Sequence, residues 1–201
     1  MSTQLPEKLV RHAGIDRAFH WLTALVMTVL LVTSFLPIMG IRFVWLELHW
    51  SSGVLLTVLV LLHIVRALRG RNGRLMKLRR ADFDELKGTQ RPGKYSLQQK
   101  LIHLAWSAAI LVAIITGVVM MVKAGTPFFS RNPYILSYRS WGLVTLLHDL
   151  AALASVFLIL VHVYFGLLPE KRQYLRSMVG GTVRREELAA DHDLDKVARG
   201  E

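Results

Sequence analysis

No cysteine occurs among the 201 residues, and its absence removes several chemistries together. There can be no disulfide, no Cys-ligated iron–sulfur cluster and no C-x-x-C-H site for thioether attachment of a haem. Negative charge is scarce as well: 14 Asp and Glu stand against 25 Lys and Arg, a net charge of +11. In so basic a chain nucleic acid is the first partner to weigh. The basic residues, however, flank long apolar runs, the distribution of a positive-inside membrane protein, and that excludes nucleic acid as the expected partner. A cleavable signal is also lacking by pattern, because Ala18–Leu36 is too long for a signal core and carries no small-residue cleavage site. Internal repetition is absent apart from one shared histidine spacing, described below.

What the chain does have is apolar length. Mean hydropathy is +0.39, and 53% of residues are hydrophobic. Four runs are long enough to cross a bilayer. They predict an all-α membrane protein, a four-transmembrane-helix bundle, with spans at about 18–36, 49–68, 101–122 and 143–168. Residues 1–17 form a polar N-terminal segment, and 169–201 a charged tail, expected as a short helix followed by a loose end. Between the second and third spans lies a long basic segment, with a short surface helix expected over Ala81–Lys87. Lys and Arg number three up to residue 18, eleven over 66–100 and seven from 169 onward, while the two other loops hold only Arg42, Lys123, Arg131 and Arg139. Both termini and the basic segment are therefore expected in the cytoplasm. Trp21 and Trp106 fall at the inner edge, and Trp45, Trp50 and Trp141 at the outer edge.

Apart from the phenol of Tyr164, the run Leu143–Leu168 contains only three ionisable side chains, His148, Asp149 and His162. The two histidines are fourteen residues apart, which on a helix is a climb of ~21 Å and a return to within ~40° of the same face. Ionisable groups inside a membrane are functional by default, and imidazole is an axial ligand of haem iron. One helix thus offers two imidazoles at two depths, as two stacked b-type haems require. By depth, His49 and His148 lie at the outer edge, and His20, His63, His103 and His162 at the inner edge. A bis-histidine haem takes its ligands from different helices, so the outer pair is His49 with His148. For His162 the spacing leaves the partner open. His63 follows His49 by fourteen residues, mirroring the fourth span, and on geometry alone it competes with His20. The competing use of such histidines is hydrogen-bonded packing, or a metal or proton path without haem.

Several segments carry a family resemblance: Asp16-Arg17-Ala18-Phe19-His20-Trp21, Leu48-His49 before Gly53, Gly93-Lys94-Tyr95 with Gln99-Lys100, Leu147-His148, and Leu160-Val161-His162-Val163-Tyr164. Together, over about residues 10–185, they resemble the cytochrome b (gamma) subunit of membrane-bound formate dehydrogenases. That subunit is similar in turn to the cytochrome b subunits of nickel–iron hydrogenases and thiosulfate reductases. The Gly-Lys-Tyr segment is what leans towards formate dehydrogenase. The resemblance implies two haem b groups, the inner held by His20 and His162 and the outer by His49 and His148. It also implies a menaquinone or ubiquinone site on the cytoplasmic side, expected here to involve Tyr95, Ser96, Gln99, Lys100 and His103. Ser96 and Gln98 depart from the Asn and Gly usual at those positions. His63 and His103 have no place in the family's ligand set; hydrogen bonding near the inner haem, or proton delivery to the quinone, are the roles open to them. Arg11, Arg17, Arg66 and Arg69 are expected near haem propionates or as solvated inner-leaflet charges.

The implied function is that of an electron-transfer and quinone-reducing subunit in the bacterial inner membrane. An iron–sulfur (beta) subunit and a molybdopterin-type catalytic (alpha) subunit, on the periplasmic side, would be its partners. Competing expectations are a hydrogenase or thiosulfate-reductase anchor, a stand-alone b561-type quinone oxidoreductase, and a non-redox metal or proton transporter.

Overall fold

The structure is a computed structural model that describes residues 7–199; Met1–Pro6 of the expected N-terminal segment and the last two residues of the tail lie outside the described residues. A three-residue strand β1 (Lys8–Val10) leads into helix α1 (Gly14–Ile38), followed by α2 (Trp45–Arg69) and the single-turn α3 (Arg71–Leu75). A 3₁₀ turn spans Arg80–Glu85 before α4 (Leu97–Ala124) and α5 (Tyr138–Leu167). The tail adds α6 (Arg172–Gly180), β2 (Thr182–Arg184), α7 (Arg185–Asp191) and α8 (Leu194–Arg199). Helices α1, α2, α4 and α5 are long and apolar enough to cross a membrane, and the fold class is the expected all-α membrane protein.

The four helices outrun the expected spans, save that α5 ends at Leu167, one residue short, because hydropathy marks the stretch a bilayer covers and not where a helix stops. Asp16 and Arg17 lie in the first turn of α1, Glu47 in that of α2 and the polar Leu97–Lys100 in that of α4. These side chains stay polar while the backbone is already helical. Acid in a first turn and Arg66 and Arg69 in the last turn of α2 also complement the helix dipole. Along the helices the exposed residues are large and apolar, among them Leu25, Leu61, Ile115, Phe157 and Leu160. So much apolar surface suits hydrocarbon, not water.

The chain divides into two compact units. One gathers the described part of Met1–Trp21, His63–Leu104 and Val161–Glu201. In it β1 pairs antiparallel with β2, Lys8 opposite Arg184, Leu9 opposite Val183 and Val10 opposite Thr182. The backbone N–H groups of Arg11 and His12 both donate to the Gly181 carbonyl. Gly181 caps α6 at φ 85°, a left-handed conformation that costs glycine little. Leu97, Leu188, Val183 and Ser177 are buried here. His192 is buried too, with its Nδ1 on the Gly93 carbonyl and its Nε2 on the Tyr174 hydroxyl, which also bonds Asp191. The tail is therefore a docked cap and not the loose end expected. Its partners, Glu7, Pro92 and Gly93 among them, are too distant in sequence for a local pattern to reveal. The surface helix expected over Ala81–Lys87 is the 3₁₀ turn; Asp82 within it forms a buried ion pair with Lys100 at 2.7 Å.

The other unit comprises Leu22–Leu62 and Ala105–Leu160. Its interior holds Val26, Met27, Leu56, Ala109, Ala151 and, unusually for an apolar core, Thr33, Thr116 and Ser155. The loop after α4 is pinned by Trp141, whose Nε1 donates to the Pro133 carbonyl at 2.7 Å, with the Lys123 ammonium 5.5 Å from its ring centre. An open groove beside the start of α2 is lined by Val44, Leu48, Trp50, Pro127 and Phe129.

Candidate functional site

In the second unit His49 of α2 and His148 of α5 face each other, ring centres 6.1 Å apart. Each has a threonine on the other side. Thr33 Oγ1 of α1 lies 2.9 Å from His49 Nδ1, and Thr116 Oγ1 of α4 lies 2.9 Å from His148 Nδ1. A hydroxyl carries one proton, and both threonines give theirs to their own helix: Thr33 to the Val29 carbonyl at 2.8 Å, Thr116 to the Val112 carbonyl at 2.6 Å. Each threonine oxygen then accepts, so Nδ1 of each histidine carries its proton and Nε2 is left with a bare lone pair. That is the tautomer a metal ligand needs, fixed by a neighbour that holds the ring as well. Gly117 follows Thr116 for a related reason. A Cβ there would stand 3.2 Å from His148 Cε1, so only glycine leaves the ring its place.

In the first unit the imidazoles also come in pairs. His20 of α1 and His162 of α5 are 6.0 Å apart between ring centres, at an interplanar angle of 54°. His63 of α2 and His103 of α4 are 6.2 Å apart, at 48°. Phe19 stacks on His63 at 4.8 Å, and Trp21 meets His20 edge-on at 5.4 Å. The choice that spacing left open is thus laid out spatially: His162 faces His20, while His63 faces His103. Among the described residues no group of three or more metal-ligating side chains occurs.

Two opposed imidazoles per site suit an iron whose remaining ligands come from a porphyrin ring. A metal held between two imidazole nitrogens at bonds of about 2 Å leaves the ring centres roughly 6 Å apart, which the three pairs match. The residues present therefore fit haem with bis-histidine ligation.

The segment expected to bind a quinone is engaged otherwise. The Ser96 and Gln99 side chains cap α4 reciprocally, Ser96 Oγ accepting from the Gln99 N–H at 3.3 Å and Gln99 Oε1 from the Ser96 N–H at 3.1 Å. This is the capping box, legible in advance as Ser-x-x-Gln before an apolar run. Lys100 is held by Asp82. Tyr95 lies outside these contacts. Burial pushes its hydroxyl pKa up, with the nearby Arg11 charge opposing, so it stays protonated and able to donate. His103 begins the apolar part of α4 one turn after Gln99. Arg17 donates to the Val179 carbonyl and Arg66 to Asp16. Arg11 is buried against the Tyr174 ring, and its Nε has no partner among the described residues.

The histidine spacing shared by the second and fourth spans extends to the other two long helices. Shifting α1 by 83 residues lays Gly14 on Leu97, Arg17 on Lys100, His20 on His103 and Thr33 on Thr116. Shifting α2 by 99 lays His49 on His148 and His63 on His162. The three histidines, one threonine and one basic residue of the hairpin α1–α2 thus recur in α4–α5, while other polar residues do not: Thr28, Ser51 and Thr57 fall on Leu111, Leu150 and Val156. The apolar positions between them match only in character, which hid the pattern. The contacts obey the same exchange, since the Thr33–His49 bond maps onto Thr116–His148.

Comparison with family models gives a match over residues 11–181, to the family described as prokaryotic cytochrome b561. Comparison with curated proteins gives no match.

Proposed function

The chain belongs to the prokaryotic cytochrome b561 family, and from that premise we propose that it is the di-haem anchor subunit of a respiratory oxidoreductase. At the level of the family it is a multi-pass membrane b-type cytochrome acting in electron transfer. The finer reading is that it receives electrons from a periplasmic iron–sulfur subunit, itself fed by a molybdopterin-type formate dehydrogenase, and delivers them to menaquinone or ubiquinone near the cytoplasmic face. The resemblance of Gly93-Lys94-Tyr95 supports the formate branch. The basic segments around the first unit support cytoplasmic termini and an inner-membrane location.

One observation carries the reading: a bis-imidazole pair in each unit, both using histidines of α5 fourteen residues apart. Haem b, bound at each, supplies a one-electron carrier inside the membrane. The chain's own part is to hold, orient and insulate. His49 and His148 hold one group, with Thr33 and Thr116 fixing the ligating nitrogens. His20 and His162 hold the other. Apolar side chains of the helices keep water from both. Arg11, buried close to Tyr95 and α6, is available to an anionic group there. For the quinone, Tyr95 is the donor of the expected set that stands outside the α4 cap, and His103 follows one turn after Gln99. An iron–sulfur donor would meet the chain at the start of α2, where an open groove is rimmed by Trp50 and Phe129.

The purified chain should give about two haems per polypeptide in a pyridine haemochrome assay, and a reproducible value near zero overturns the reading. The partner is tested by identifying the chains that co-purify after mild detergent extraction. An iron–sulfur protein with a molybdopterin enzyme supports the formate branch, whereas a hydrogenase redirects it.

A further inference from the structure

Four ligating histidines satisfy two haems, yet His63 and His103 are arranged as another pair. The two pairs in the first unit are hard to tell apart: 6.0 and 6.2 Å between ring centres, 54° and 48° between planes. Each joins a half-buried imidazole, His20 or His63, to an exposed one, His162 or His103. They are also equivalent under the repeat. Exchanging α1 with α4 and α2 with α5 carries His20 onto His103 and His162 onto His63, so one pair becomes the other. The same exchange carries His49 onto His148, which returns that pair to itself. The second unit therefore has one seat by construction, while the first has two.

The geometry points to His63 and His103 as a second bis-histidine seat for the iron porphyrin of the first unit, interchangeable with His20 and His162. This rests on the haem reading above and goes beyond it, because that reading assigns no ligand role to either residue. Both seats offer what a six-coordinate haem iron takes from protein, two neutral imidazoles from different helices, and both lie in the same unit. Their surroundings differ. Phe19 stacks on the His63 ring, and the Asp16–Arg66 ion pair has its arginine three residues beyond His63 on α2. Trp21 instead meets His20 edge-on. Charge and aromatic contact beside a ligand tune a haem's potential, so the two seats should confer different potentials on the same cofactor.

The test counts haems in ligand-pair variants, with the pair in the second unit as internal control for folding. The double variant His20→Ala/His162→Ala should keep two low-spin haems per chain, as should His63→Ala/His103→Ala. Removing all four should leave one. In the His20→Ala/His162→Ala background, His103→Met should convert the retained haem to His/Met ligation and raise its potential in a redox titration. If the His20→Ala/His162→Ala variant keeps one haem while His63→Ala/His103→Ala keeps two, the second seat does not exist. Loss of both haems from a double variant would mean a lost fold, and the pair His20→Gln/His162→Gln then decides by the same count. An unaltered chain without haem sinks the functional reading itself, which separates the two failures.

Discussion

A threonine in an apolar helix ordinarily spends its hydroxyl on its own backbone, as Thr28 and Thr57 do here. Thr33 and Thr116 do the same and then accept a second bond from a histidine, and that second bond is the functional one. Thr33→Val or Thr116→Val keeps the shape and removes one acceptor, leaving the ring held by a backbone carbonyl alone, that of Leu30 for His49 and of Ala113 for His148. Loss of such a supporting contact typically costs about 10–100-fold in metal affinity. Haem titration should show that loss at the pair in the second unit only, with Thr33→Ser restoring it. A smaller intrusion acts from the other side: Gly117→Ala sets a methyl 3.2 Å from His148 Cε1, so the ring must shift by a few tenths of an ångström. The low-spin signal of that haem should weaken while the other stays unchanged. The histidines were legible in sequence because charge-capable groups stand out in an apolar span. The threonines were not, since a hydroxyl silent on its own helix and one serving a neighbour look alike until the neighbour is placed.

At the scale of the element, the start of α4 is a heavily secured junction of the first unit. Ser96 and Gln99 cap the helix, Glu85 Oε2 accepts from the Leu97 N–H at 2.8 Å, and Lys100 is tied to Asp82. Ser96→Ala should cost about 1 kcal/mol by exposing a helix donor. Asp82→Ala should cost more, about 3–5 kcal/mol, since it strands a buried ammonium. Thermal unfolding in detergent followed by circular dichroism checks both, and a larger effect for Ser96→Ala would reverse the ranking. If quinone reduction falls only in step with that stability, the segment is structural and not a binding site. The number of long apolar helices was plain in the hydropathy, but their ends were not, because capping residues are polar and fall outside an apolar window. The wider correspondence was hidden for a related reason: lipid-facing positions accept almost any large apolar residue, so only the histidines, one threonine and one basic position preserve the match.

For the molecule as a whole, the cap on the first unit sets a dependence on pH. His192 has its pKa lowered by burial, with the Gly93 carbonyl opposing. His12 is lowered from the ordinary 6.5 to about 4, by burial and then by Arg11. Burial opposes ionisation of Asp191, but hydrogen bonds from Lys171 and Tyr174 outweigh it and hold its pKa below the usual carboxylate value. All three folded-state values are depressed, so the opened cap binds protons more readily than the closed one. The stabilisation is complete above the ordinary histidine pKa and is lost as pH falls, for His12 between 6.5 and about 4, with Asp191 giving way below the carboxylate range. Limited proteolysis of the tail should be slow at pH 7.5 and quicken steadily below pH 6 (roughly half a unit under the ordinary histidine value). Cleavage that slows on acidification would contradict this. A short helix in the tail was legible in sequence, but its docking was not, since the bonds that hold the cap join residues 7–12 and 90–93 to residues 181–196. That distance also has a meaning in time. Val10 pairs with Thr182, and at about 5–20 residues per second the ribosome needs roughly 10–35 s to synthesise the chain between them. Strand β1 is made well before β2, so through that interval the first unit waits with one strand unpaired.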